Sequence, residues 1–221
     1  MKLILVLACL CFIGTPTVNG VSKRALDFTN IFNGDFDNRN QRLQPGDDHD
    51  FAQMRMIPVD IECFRPDPVV LAELDVSGVI RELILITVKD GIEDTVNLTF
   101  YSFTDPTKHK PREYKAENFS SMNCSDLQTK PGCFASYRVV AKGGFAFGNY
   151  PYCGATVDGK YPRYTCNHQC ESVSSTFPVG VQLDSPMEPY ELVITSRKYP
   201  LINPPKGYVT PCGPVLTKSL A

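Results

Sequence analysis

Cys166-Asn167-His168-Gln169-Cys170 places two thiols and an imidazole within one short stretch. In a reducing compartment such a set of soft ligands holds zinc. In an oxidising one, cysteines pair as disulfides instead. Asp47-Asp48-His49-Asp50 gathers oxygen ligands of the kind calcium takes. It lacks the twelve-residue spacing and central glycine of an EF-hand loop and reads as a solvated loop. Three histidines exist for acid–base work, His49, His109 and His168, all in turn-like polar segments. No Gly-x-Ser-x-Gly elbow and no catalytic cysteine signature accompanies them. Gly143-Gly144 and Gly148 do not form the glycine fingerprint of a nucleotide-binding turn. The sequence therefore assigns no catalytic residue and no metal site. Two charges stand out because each interrupts an apolar strand pattern: Glu73 and Arg81. Facing outward, they are surface charges or a cross-strand pair of small worth. Facing into a barrel, they would need a polar ligand group or each other, since a buried charge is costly unless paired.

The redox compartment is read from the start of the chain. MKLILVLACLCFIGTPTVNG has a lysine, an apolar core over Leu3–Ile13 and small residues before Val21. That is a secretory leader, too short in its apolar part for a bilayer span of about 20 residues. Residues 1–20 are expected to be a signal peptide and residues 21–221 a single secreted, extracellular domain. The leader removes Cys9 and Cys11. Cys63, Cys124, Cys133, Cys153, Cys166, Cys170 and Cys212 remain as disulfide candidates, with one left over. The leftover thiol is expected to be buried, to pair between chains or to bind something covalently; buried cysteine behaves as a small hydrophobe. Asn97-Leu98-Thr99, Asn118-Phe119-Ser120 and Asn123-Cys124-Ser125 are glycosylation sequons. The net charge of −2 predicts neither a nucleic-acid binder nor a membrane-surface binder.

The elements that would carry these residues follow from periodicity. Ala25, Phe28, Ile31 and Phe32 form an apolar stripe, which predicts a helix from near Ser22 to Asn33. Period two then dominates. In Pro68–Val76, Val69, Leu71 and Glu73 share one face, and Val70, Ala72 and Leu74 the other. Ile80–Val88 is apolar on both faces near its end, as a central strand is. In Thr95–Phe103, Val96, Leu98 and Phe100 oppose polar neighbours. Cys133–Val140 and Phe145–Phe147 flank the turn Lys142-Gly143-Gly144. Ser172–Phe177, Val179–Leu183, Tyr190–Thr195 and Gly207–Leu216 read as short strands. The fold class is mainly β, an antiparallel calycin- or lipocalin-like barrel with an N-terminal helix; about eight strands suffice to hold a small ligand.

Gly34-x-Phe36-x-Asn38-x-x-Gln41, after an amphipathic helix, resembles the N-terminal signature of the CpeT/CpcT-type phycobiliprotein lyase family. Further stretches resemble that family in order. They are Met54–Pro58, then Leu71-Ala72-Glu73-Leu74 (with Ala72 and Leu74 replacing the usual valine and glutamine), and Arg81. Gly132-Cys133, Phe145-x-Phe147-Gly148, Cys153, Ser196-Arg197 and Gly213-Pro214-x-x-x-Lys218 follow. The resemblance implies a calycin-like barrel. Its bacterial members bind an open-chain tetrapyrrole and attach it to a cysteine of a phycobiliprotein. It further implies a bilin-like tetrapyrrole as candidate cofactor, Glu73 and Arg81 as pocket positions, and a Cys133–Cys153 disulfide.

A secreted glycoprotein has no obvious phycobiliprotein to modify. The first expectation is therefore non-catalytic binding of a small amphipathic or tetrapyrrole-like ligand. The second is a structural part of an extracellular or mineralised matrix, with a disulfide-linked partner. The third is a bilin-attaching lyase. Phe36 is expected to plug one barrel end while Asn38 and Gln41 bind loop backbone.

Overall fold

A computed structural model describes residues 17–18, 20–78, 80–112, 116–151, 163–176, 189–195 and 198–213. Most of the expected leader, Cys153 and the expected strand Val179–Leu183 lie outside the described residues, as do Ser196, Arg197 and the tail from Pro214.

Helix α1 spans Lys23–Phe32. Ser22 caps it, its Oγ accepting from the amides of Arg24 and Ala25 at 3.1 and 3.3 Å. Asn33 ends it in an extended conformation. Ten antiparallel strands follow, and they close into a barrel. In chain order these are β1 (Gly34–Asp37), β2 (Ala52–Val59), β3 (Val69–Val76), β4 (Ile80–Asp90) and β5 (Thr95–Phe103). Next come β6 (Leu127–Val140), β7 (Phe145–Pro151), β8 (Arg163–Gln169), β9 (Ser172–Ser175) and β10 (Tyr190–Ile194). Every strand pairs with its chain neighbours, and β10 meets β1 at the seam. A short helix, α2 (Arg39–Arg42), lies in the β1–β2 connection. The architecture is the mainly β, closed antiparallel barrel that the alternation implies.

Alternation sorts each strand between two apolar clusters. Val70, Ala72, Val76, Ile86, Val88 and Leu98 face the interior, where they meet Phe28 and Phe32 of α1. Leu71, Leu83, Leu85 and Val69 join a second cluster with Ile61, Phe103, Phe119 and Met122. The second cluster lies on the outer wall beneath the β5–β6 connection, which explains why β4 is apolar on both faces. The Cys63–Cys124 disulfide staples the β2–β3 connection to that covering loop.

α1 closes the barrel end that holds the β2–β3, β4–β5, β6–β7 and β8–β9 turns. Its residues Ala25–Phe32 are all buried, including Asp27, Thr29 and Asn30. The polar face is covered by Lys198–Gly213, a strap without strand structure. The described part of the expected strand Gly207–Leu216 is thus a correction. Pro205 and Pro211 have no N–H to give a ladder, and the segment pairs with helix side chains instead. A second disulfide, Cys170–Cys212, ties the strap to the end of β8.

Candidate functional site

Four places hold the residues that could do chemistry. The first is the Gly34–Gln41 stretch. Phe36 is buried at 1% exposure inside the barrel. Gly34 adopts φ +140°, and a Cβ there would come within 3.0 Å of the Phe36 ring, so glycine is required. Asn38 donates from Nδ2 to the Asp50 carbonyl and accepts from the Ala52 amide, both at 2.8 Å. Gln41 donates to the Pro189 carbonyl at 3.0 Å and accepts from the Glu191 amide at 2.9 Å. The motif is therefore structural: it fixes β1 against the β1–β2 connection and against β10.

The second is the wall around Glu73. Glu73 lies on the outer face with Val69 and Leu71, yet it is buried. Its Oε2 accepts from the Arg112 amide at 3.0 Å, and Arg55 Nη1 stands 3.8 Å away. Register aligns Asp35, Arg55 and Glu73 across β1, β2 and β3. Arg112 reaches Asp75 at 3.0 Å and donates to Gln53. Tyr199 donates to Asp35 at 2.6 Å. These pairs tie the β5–β6 connection and the strap to the barrel wall. Arg81 sits opposite Asp75 in the β3–β4 ladder; its side chain lies outside the described set.

The third is the barrel interior at β8. Cys166 and His168 alternate inward on this strand, with Cys166 Sγ 3.1 Å from His168 Nε2. His168 packs on Phe32 and Tyr137 at ring separations of 4.5 and 5.9 Å. Two expectations are corrected here. His168 is a buried strand residue rather than a turn residue: polar Asn167 and Gln169 are its outward neighbours, which hides the inward pair. Cys166, counted among the disulfide candidates, is free and buried. Burial pushes its thiol up to about 11, against hydrogen bonds from Ser175 and Tyr137. Burial, and then the nearby Lys198 charge, push His168 down to about 3. At neutral pH the pair is a thiol beside an uncharged imidazole. The thiolate that a nucleophile or metal ligand requires is disfavoured, so the pair is chemically quiet. Cys133 is disulfide-bonded, and Cys153, its expected partner, lies outside the described residues. Among the described residues no three His, Cys, Asp or Glu side chains cluster as metal ligands.

The fourth was not foreseen from sequence. A cavity of about 310 Å³ opens beside α1, between the β2–β3 connection and the strap. Leu26, Val59, Ile61, Val69 and Leu201 give it apolar walls. Asp60 and Arg65 stand at its edge, joined by an Arg65 Nε–Asp60 Oδ1 hydrogen bond of 2.8 Å. That bond lowers the Asp60 pKa and raises that of Arg65. Its lining comes from four separate chain segments, so no local motif announces it.

No family model and no curated protein matches the sequence. Among solved structures, the chain is similar to the CRL protein of Arabidopsis, solved in its selenomethionine form. The TM-score is 0.54 at 12% identity, over 78% of this chain and 99% of that one. At that identity the likeness concerns the barrel fold alone.

Proposed function

We propose that this chain is a secreted, disulfide-braced barrel that binds a small amphipathic ligand without transforming it, in the cavity beside α1. The cavity is the observation that carries the reading. Its volume lies at the lower bound of ligand sites, which start at about 300 Å³ and combine apolar walls with a few placed polar groups. The Asp60–Arg65 pair offers a carboxylate and a guanidinium to the polar end of such a ligand. Phe28, Phe32, Phe36 and Tyr137 occupy the barrel interior at the level of α1, which favours a ligand beside the helix over one beneath it. The quiet Cys166–His168 pair supports a non-catalytic role.

The ordered motifs from Gly34 to Gly213 support kinship with the CpeT/CpcT-type lyases, with the barrel kept. On that reading a bilin-like tetrapyrrole is one ligand to test, whereas the ion pairs of Glu73 serve the outer wall. Cys63–Cys124 and Cys170–Cys212 favour an oxidising, extracellular setting. A matrix role through a cysteine-linked partner is less well supported, because Cys166 is buried.

The test is titration of the purified protein with N-phenyl-1-naphthylamine, an apolar body with one polar group whose fluorescence rises out of water. A saturable one-to-one signal is expected. Leu201→Trp, filling the cavity from the strap side, should weaken it at least tenfold with the fold unchanged by circular dichroism. No saturable signal, or one indifferent to Leu201→Trp, would reject the reading.

A further inference from the structure

The strap that walls the cavity is attached in an unusual way. Lys198 donates from Nζ to the carbonyls of Ile31 and Asn33, at 2.9 and 2.8 Å, at the C-terminal end of α1. The Tyr199 amide donates to Asn33 Oδ1 at 2.9 Å. Tyr208 donates to Asp27 at 2.7 Å, and the Cys212 amide to Asn30 Oδ1 at 3.0 Å. Between these anchors, Leu201, Ile202 and Asn203 form the cavity wall, and Val209 stands 78% exposed. The strap joins no strand ladder among the described residues. It is held by a handful of side-chain bonds and one covalent bond, Cys170–Cys212. A segment held that way opens without unfolding the barrel. The two sulfurs differ in access: Cys212 is buried, Cys170 only half-buried. Gly144 abuts the Cys170 sulfur, where a Cβ would fall within 2.5 Å of Sγ.

We propose that Lys198–Gly213 is a latched lid over the cavity, released by reduction of Cys170–Cys212. This rests on reading that cavity as the ligand site. The reductant is an external dithiol. One of its thiolates attacks Cys170 Sγ, the Cys170–Cys212 bond breaks, and Cys212 leaves as a thiolate that takes up a proton. The dithiol's second sulfur then displaces Cys170, which is protonated in turn. Two electrons and two protons pass to the protein, and the dithiol ends as a disulfide. With the latch cut, hydrogen bonds and the packing of Tyr199 and Cys212 alone hold the lid, and the cavity exchanges its contents faster.

Hydrogen exchange read by mass spectrometry tests this on three proteins: wild type, Cys170→Ser/Cys212→Ser, and Cys63→Ser/Cys124→Ser. Amides of residues 24–33 and 198–213 should exchange at least tenfold faster in the first variant than in wild type, with the β3 and β4 amides unchanged. The Cys63→Ser/Cys124→Ser protein should match wild type in those segments. Dithiothreitol should speed wild type to the rate of the first variant and leave that variant unaltered. Tyr208→Phe, with every disulfide intact, should give a smaller acceleration confined to the same amides. Equal exchange in wild type and Cys170→Ser/Cys212→Ser would overturn the lid. So would acceleration spread evenly over the barrel strands, or a dithiothreitol effect that persists without the latch. N-phenyl-1-naphthylamine uptake, followed in the same samples, separates the two readings. Lid opening without uptake in any sample supports the lid and rejects the ligand site. Uptake at one rate in latched and unlatched protein keeps the site and overturns the lid.

Discussion

Lys198 shows how one side chain sets a pH response. Burial pushes it down from 10.5 to about 7, with Glu171 opposing the shift. Between these values the unfolded chain binds a proton that the folded chain does not, so stability rises with pH across that window. His168, pushed from 6.5 down to about 3, acts likewise further down: its contribution is complete above 6.5 and is lost as pH falls toward 3. Tyr190, raised from 10.0 to about 12, runs the other way. The unfolded phenol ionises first, so stability falls as pH climbs past 10. The melting temperature is therefore expected to rise from pH 7 to about 10 and then decline. Lys198→Met should flatten the rising limb; a melting curve whose slope that change leaves untouched would contradict the assignment. Phe36 belongs to the same scale. Its truncation to alanine empties a fully buried site, and a loss of about 3–5 kcal/mol is expected by chemical denaturation. Asn38→Ala strands the Asp50 carbonyl and Ala52 amide, and should cost about 1–3 kcal/mol.

At the scale of elements, the helix and strands β3, β4 and β5 were legible because burial imposes a period, whereas β1 and β8 were not foreseen because their mostly polar residues hide it. Ser22 and Asn33 bracket α1, and the alternation in β3, β4 and β5 gives the face of each residue. Four further features escaped that reading. The burial of the polar side of α1 left no local sign because its partners, Lys198, Tyr208 and Cys212, lie far along the chain. The inward pair on β8 is a thiol and an imidazole, so period two there carries no apolar contrast. Glu73 shares the outer face with Leu71 as the pattern required, but its burial depends on Arg112 from a distant connection. The cavity was invisible for the same reason, being a product of assembly rather than of any one element. Helix α1 also supports a prediction at this scale: Ser22→Ala removes the cap and should lower stability by about 1 kcal/mol. An unchanged denaturation midpoint would mean that the strap alone fixes the start of the helix.

The whole molecule can be tested for its compartment and its covalent frame. Asn97, on the outer face of β5, and Asn118 and Asn123, in the β5–β6 connection, are all exposed. Secreted material from a eukaryotic host should lose mass on treatment with an N-glycosidase; an unchanged mass would argue against passage through the secretory route. Native protein should show no thiol reactive to Ellman's reagent until it is denatured, when Cys166 appears. It should also run as a monomer on a non-reducing gel.

The seam between β10 and β1 has a bearing on biogenesis. Every other ladder joins strands that are neighbours along the chain, so each can form as the polypeptide emerges. The seam unites Phe36 and Asp37 with Val193 and Ile194, and the residues that secure α1 come later still. A nascent chain must hold an unclosed, curling sheet with its first edge unpaired until almost the entire polypeptide has been made. On the proposed secretory route, Asn97, Asn118 and Asn123 would meet the glycosylation machinery while that sheet is still open, and sugars there would shield the growing molecule during its most adhesive interval.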